Sequence, residues 1–100
     1  MGPCVASMDG VDLTDIEVKT TVSGELMQDA DTSQLIFPVD LLVEYLSAGI
    51  TLEPGDIIAT GTPGGVGDSR DPRRYLREGD VVEVTVSGVG TLRNGVRIEA

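Results

Sequence analysis

The chain has no histidine and no tryptophan, a single cysteine, Cys4, and a single lysine, Lys19. Without histidine, neither Ser-His-Asp nor Cys-His nucleophilic machinery can be assembled from these residues, and no His-containing zinc site can form. A lone Cys4 excludes an intramolecular disulfide. Seven basic residues against seventeen acidic ones leave a formal net charge of −10, the wrong sign for a nucleic-acid face, which needs clustered Lys and Arg. No apolar run approaches the length of a membrane span. The start Met1-Gly2-Pro3-Cys4 has neither the basic segment nor the apolar stretch of a secretory signal, so a cytoplasmic location without membrane contact is expected. One hundred residues, 40% of them hydrophobic, make a single small domain, 1–100, with a modest core and no disordered composition. Any chemistry must therefore use carboxylates, hydroxyls and backbone, or groups borrowed from another chain.

What is present centres on residues 51–67. Pro54 fixes φ for the second position of a β-turn, and Gly55 can take the positive φ a type II turn needs next. Ile57, Ile58 and Ala59 run apolar without alternation, which predicts a short strand covered on both faces. Thr60-Gly61-Thr62-Pro63 then places two hydroxyls beside unshielded backbone. A glycine lets a ligand approach the main chain, and threonine hydroxyls can donate to a carboxylate or an enolate oxygen. The plainer reading is an ordinary glycine-rich loop. A P-loop is excluded because no Gly-Lys-Ser/Thr follows Gly64-Gly65-Val66-Gly67, and a dinucleotide fingerprint because Asp68 to Arg73 is charged and contains Pro72. Arg70, Arg73, Arg74 and Arg77 read either as a local anion site or, as charge runs usually are, as a solvated surface segment.

The rest of the chain reads as short strands around one helix. Ile16, Val18, Thr20 and Val22 alternate with polar residues, Ser23-Gly24 turns the chain, and Glu25 to Gln28 returns as the second arm of a hairpin. Asp29 to Ser33 is polar and turn-like; its aspartates lack the spacing of a calcium loop. Pro38 to Ala48 predicts a helix with Leu41, Leu42, Tyr45 and Leu46 on one face and Gly49 as its stop, lying apolar face down across a sheet. Leu52-Glu53-Pro54-Gly55-Asp56-Ile57-Ile58 is echoed by Leu76-Arg77-Glu78-Gly79-Asp80-Val81-Val82, two turns that each launch a strand. Val82, Val84 and Val86 share a face, the chain turns at Ser87-Gly88 to Gly90, and Asn94-Gly95 is a hairpin turn or a bulge. The fold class is mainly β, α+β, with one helix.

Six segments in order then carry a resemblance. They are Gly2-Pro3-Cys4-Val5; Ser23-Gly24-Glu25 through Gln28 with Thr32 beyond; Tyr45-Leu46-Ser47; Leu52 through Gly67; Tyr75-Leu76 with Gly79-Asp80; and Gly88, Gly90 and Leu92-Arg93-Asn94. Together they resemble the C-terminal half of the fumarylacetoacetate hydrolase family, and the match covers nearly the whole chain. The resemblance implies mixed, rolled β-sheets of the fumarylacetoacetase C-terminal domain type. It also implies a metal-dependent hydrolase, decarboxylase or isomerase acting on C–C bonds of β-diketo or 2-oxo acids of the acylpyruvate, fumarylpyruvate and oxaloacetate class. Mg²⁺ or Mn²⁺ bound at a carboxylate cluster, and a homodimer, belong to the same expectation. A divalent ion chelated by a 2-oxo acid stabilises the enolate left by C–C cleavage.

By the resemblance, Thr62 is placed to bond the substrate's carboxylate, with Thr60 and Gly61 shaping that wall. The family's Glu-x-Glu and Asp ligands, and the His and Glu that activate water, lie in the half that would precede Met1. No metal ligand and no catalytic base is therefore assigned here, the isolated chain is expected to be inactive, and its partner is the missing N-terminal half or another chain. The particular keto acid, reaction and metal stay open. The competing reading is a non-catalytic β-rich domain that binds a partner or assembles with itself through exposed strand edges.

Overall fold

The alternating run before Ser23 forms strand β1, Glu17–Val22, in a computed structural model that describes residues 1–99. Ser23 and Gly24 both take positive φ, 49° and 83°, as a two-residue hairpin turn requires. The returning strand β2, Glu25–Asp31, runs three residues past the expected end, because Asp29, Ala30 and Asp31 find partners in Lys19, Val18 and Glu17. An available ladder overrides the turn preference of the aspartates. That preference survives in the side chain of the strand's last residue, Asp31, which accepts the Ser33 N–H at 2.8 Å and caps a single 3-10 turn, Thr32–Gln34.

Strand β3, Val81–Val86, pairs with β1, and strand β4, Gly90–Gly95, pairs with β3, giving an antiparallel sheet of order β2-β1-β3-β4. This is the expected mainly β architecture with one helix. The register sets Val18, Thr20 and Val22 against Val86, Val84 and Val82, with Leu92 beyond Val84, so directly opposed residues build one apolar face. The expected turn after β3 is present, closed by the Val89 N–H on the Val86 carbonyl at 3.1 Å. Asn94-Gly95, read as a turn or bulge, instead continues β4, because β3 still offers Val82 and Val81 as partners.

Two further expectations are corrected. Ile57 to Ala59 forms no strand: no strand among the described residues pairs with it, and Ile57 is 70% exposed. Helix α1, Val39–Gly49, begins after Pro38 as its N-cap and ends with Gly49 still helical, Ile50 taking the extended C-cap position. The half-buried stripe of α1 is Val39, Leu42 and Leu46, while Leu41 and Tyr45 are exposed. The helix does not lie across the sheet; no strand packs substantially against it. Leu42 faces a cleft whose other side carries Val18 and Ala30, so α1 stands off from the sheet across open space.

Only Val22 and Met27 are fully buried hydrophobic residues among those described, and Ile36, Phe37, Tyr45 and Ile57 lie mostly in solvent. The Cα radius of gyration, 15.7 Å, exceeds the roughly 13 Å of a compact domain of this length. The sheet is well formed, but the apolar surface around it is uncovered.

Candidate functional site

The stretch from Leu52 to Gly67 is shaped by local bonds at one end and by the sheet at the other. At Glu53 to Asp56 the Asp56 N–H donates to the Glu53 carbonyl at 3.0 Å, and the Asp56 carboxylate accepts the Glu53 N–H at 2.8 Å. Gly55 sits at φ 99°, the value the Pro-Gly turn needs. The echo at Arg77 to Asp80 is built the same way, with bonds of 3.0 and 2.8 Å and Gly79 at φ 83°. Only the second turn launches a strand, because only there is β1 alongside to pair with.

Beyond Ala59, the glycine-rich loop is docked on β2. The Gln28 carboxamide nitrogen donates to Thr62 Oγ1 at 2.9 Å and to the Pro63 carbonyl at 3.0 Å. Arg70 donates from Nε to the Gly65 carbonyl at 3.1 Å and from Nη2 to the Met27 carbonyl at 2.6 Å. Gly65, at φ 100°, comes so close to β2 that a Cβ there would lie 1.9 Å from the Met27 carbonyl oxygen. Gly67 is equally confined, its absent Cβ 2.0 Å from the Arg74 carbonyl oxygen. These glycines let two backbones touch; their role is close packing rather than flexibility.

So held, Thr60, Gly61, Thr62, Pro63 and Gly64 form one wall of an open cleft of about 490 Å³. Val18 and Ala30 from the sheet, Leu35 to Phe37, and Leu42 of α1 supply the apolar remainder. The three residues expected at a substrate wall thus lie together on one cleft. Among the described residues, no hydrogen bond takes the N–H of Thr60, Gly61, Thr62 or Gly64. The wall therefore carries backbone donors without a partner among the described residues, together with two threonine hydroxyls, on residues that line the cleft. Gln28, which anchors the wall, was legible only as the end of a hairpin arm; its signal was a polar residue opposite Thr20, on the inward side of a strand.

The arginines divide between packing and surface. Arg70 ties the loop to β2, and Arg74 meets Asp80 with two bonds of 2.9 Å. Arg73 and Asp68 flank the Tyr75 hydroxyl on an exposed patch. Asp80 also accepts the Ser23 hydroxyl at 2.7 Å. That bond first, then the Arg77 N–H and Arg74, holds its carboxyl below the ordinary 3.8. Three of the four arginines thus have protein partners among the described residues, as packing contacts and a solvated surface segment rather than one converging group.

A carboxylate cluster for Mg²⁺ or Mn²⁺ does not arise from the residues present. Among those described, no group of three Asp, Glu or Cys side chains converges at metal-binding distance. Among the described residues that line the cleft, Asp31 alone carries a carboxylate, and it is engaged with Ser33. Likewise, no helix among the described residues is long and apolar enough to cross a membrane.

Comparison with known proteins places this geometry. Residues 1–97 match the family model described as fumarylacetoacetate (FAA) hydrolase, C-terminal. The chain is 44% identical over 97 residues to oxaloacetate tautomerase YisK of Bacillus subtilis (strain 168), covering 96% of this chain and 32% of that protein. A fumarylacetoacetate hydrolase from Exiguobacterium antarcticum superposes with a TM-score of 0.92 at 43% identity, covering 98% of this chain and 35% of that one. Maleylpyruvate hydrolase from Sphingobium sp. SYK-6, solved with manganese(II) and pyruvate, superposes with a TM-score of 0.83 at 35% identity, over 94% of this chain and 33% of that one. The chain spans about a third of the length of these relatives.

Proposed function

This chain belongs to the fumarylacetoacetate hydrolase family, and from that premise we propose that it supplies the substrate-carboxylate wall of an enzyme acting on 2-oxo acids. The observation that carries the reading is that Thr60, Gly61, Thr62 and Gly64, whose N–H groups have no hydrogen-bond partner among the described residues, line one open cleft together with the Thr60 and Thr62 side chains. Preorganised donors on a rigid loop suit a carboxylate or a developing enolate oxygen, because they need no reorganisation when charge arrives. In this reading Thr62 donates to the carboxylate, Gly61 lets the ligand approach the main chain at φ 116°, and Thr60 closes the wall. The apolar side of the cleft takes the remainder of the acid.

The catalytic half of the proposed reaction lies outside these residues. A divalent ion, Mg²⁺ or Mn²⁺, belongs to the complete enzyme, with ligands elsewhere. Support comes from the relative solved with manganese(II) and pyruvate. Hydrolysis, decarboxylation and isomerisation of acylpyruvates or oxaloacetate are the reaction classes proposed, with two copies of the complete polypeptide associating. The uncovered apolar residues Ile36, Phe37, Tyr45 and Ile57 support further polypeptide packing against this chain.

Turnover tests the reading. The complete polypeptide, recovered from its source with an antibody against residues 51–67, is assayed with oxaloacetate and an acylpyruvate in the presence of Mn²⁺. Keto-acid turnover by that polypeptide, and none by residues 1–100 alone, is the expected pair of results. Turnover by the isolated chain would show that the catalytic groups are misplaced, and no turnover of any 2-oxo acid by the whole would remove the function.

A further inference from the structure

We infer that Gln28 is a positioning residue: it sets the direction in which the Thr62 hydroxyl donates its proton. The inference rests on the proposed carboxylate wall and adds to it a residue on a different element. Gln28 lies in β2 opposite Thr20, half-buried. Its amide group reaches two loop oxygens, Thr62 Oγ1 at 2.9 Å and the Pro63 carbonyl at 3.0 Å.

The second contact fixes the sense of the first. A carbonyl oxygen only accepts, so the end of the carboxamide that faces Pro63 must be the NH₂. The same nitrogen faces Thr62, so the threonine oxygen receives a proton from Gln28. A hydroxyl has one proton of its own, and with a lone pair already taken it directs that proton elsewhere. Among the described residues, Thr62 Oγ1 donates to no protein acceptor. Its proton is therefore left for an acceptor in the cleft.

Rotation of the loop would undo this arrangement, and three features oppose it. Gly65 is packed so tightly against Met27 that the backbones are in contact, and Arg70 bonds both Gly65 and Met27. Pro63, next to Thr62, has its φ fixed by its ring. A simple tether would need only one of these bonds. The paired contacts on Thr62 and Pro63 make Gln28 a device that holds the acceptor side of the hydroxyl.

Pyruvate, the simplest 2-oxo acid, is the probe, titrated into the complete polypeptide with Mn²⁺ present. Four proteins are compared: the natural one, Gln28→Met, Thr62→Val, and both changes together, with thermal midpoints recorded alongside. Gln28→Met is expected to weaken pyruvate binding about three- to tenfold, the loss of one hydrogen bond's orienting effect. In the Thr62→Val background the same change is expected to do nothing measurable. Equal weakening in both backgrounds would make Gln28 a structural tether and overturn the inference, as would unchanged binding in Gln28→Met while Thr62→Val binds poorly. If the natural protein binds no pyruvate, the carboxylate wall and this inference fall together, an outcome distinct from the other two. Should Gln28→Met fail to fold, Gln28→Glu replaces it. Its charge acts in both backgrounds, so the coupling to Thr62 is still what is read.

Discussion

Replacing Gly65 and, separately, its neighbour Gly64 with alanine tests the docked loop within two adjacent positions. At Gly65 the new Cβ would sit 1.9 Å from the Met27 carbonyl oxygen, a backbone atom that cannot swing away, at a φ of 100°. The positive φ alone costs an alanine about 1–2 kcal/mol. Relieving the clash moves the loop and stretches the Arg70 bonds to Gly65 and Met27, charge-assisted contacts worth about 1.5–3 kcal/mol each when lost. A total near 3 kcal/mol follows if one of the two is lost. At Gly64 a Cβ meets nothing within 4 Å and φ is not positive, so the change is expected to be neutral or stabilising by up to about 1 kcal/mol. Urea unfolding of both variants in the same polypeptide reads the contrast. Gly65→Ala should lower the midpoint by about 1.5 M for a slope near 2 kcal/mol/M, and Gly64→Ala should leave it within a few tenths. Equal midpoints for the two variants would refute the close backbone approach.

Three other perturbations have definite outcomes. Thr62→Val in the complete polypeptide should raise the KM or Kd for a 2-oxo acid by about ten- to a hundredfold, the about 1.5–3 kcal/mol of a hydrogen bond to a charged group; unchanged kinetics would remove Thr62 from the site. Asp80 is held below its ordinary value in the folded state, so it binds fewer protons there than when unfolded. Its stabilisation is thus complete above about pH 4 and is lost as pH falls through the lowered value. Asp80→Asn should therefore flatten the stability profile below pH 4 in acid unfolding followed by circular dichroism. It should also cost more stability at pH 7 than Asp56→Asn, whose carboxylate takes one backbone N–H where Asp80 also holds Ser23 and Arg74. Residues 1–100 alone should show no Mg²⁺ or Mn²⁺ binding by calorimetry, while EDTA should abolish turnover by the complete polypeptide and Mn²⁺ restore it.

Local chemistry was readable wherever a residue's conformation is decided by its near neighbours. The Ser23-Gly24 hairpin, the Pro54-Gly55 turn, its echo at Gly79-Asp80 and the body of α1 all follow from φ preferences and spacing within a few residues. Partners distant in sequence decided the remainder. Asp29 to Asp31 and Asn94-Gly95 carry turn residues yet lie in strands, because β1 and β3 extend beside them. Ile57 to Ala59 has the composition of a buried strand, yet without a neighbour to pair with it forms none, and Ile57 and Ala59 are exposed. At the candidate wall, Thr60, Gly61 and Thr62 were legible as hydroxyls beside unshielded backbone, and the structure sets the three on one cleft. The Gln28 bond to Thr62 was not legible, because it spans 34 positions, which no local pattern reports.

A crystal structure of the complete polypeptide with pyruvate and Mn²⁺ tests the central claim most directly. The pyruvate carboxylate is expected within about 3 Å of Thr62 Oγ1, with the Gly61 and Thr62 backbone along the same wall. Pyruvate bound with its carboxylate elsewhere, and the Thr60 to Gly64 loop facing protein or solvent, would contradict the account.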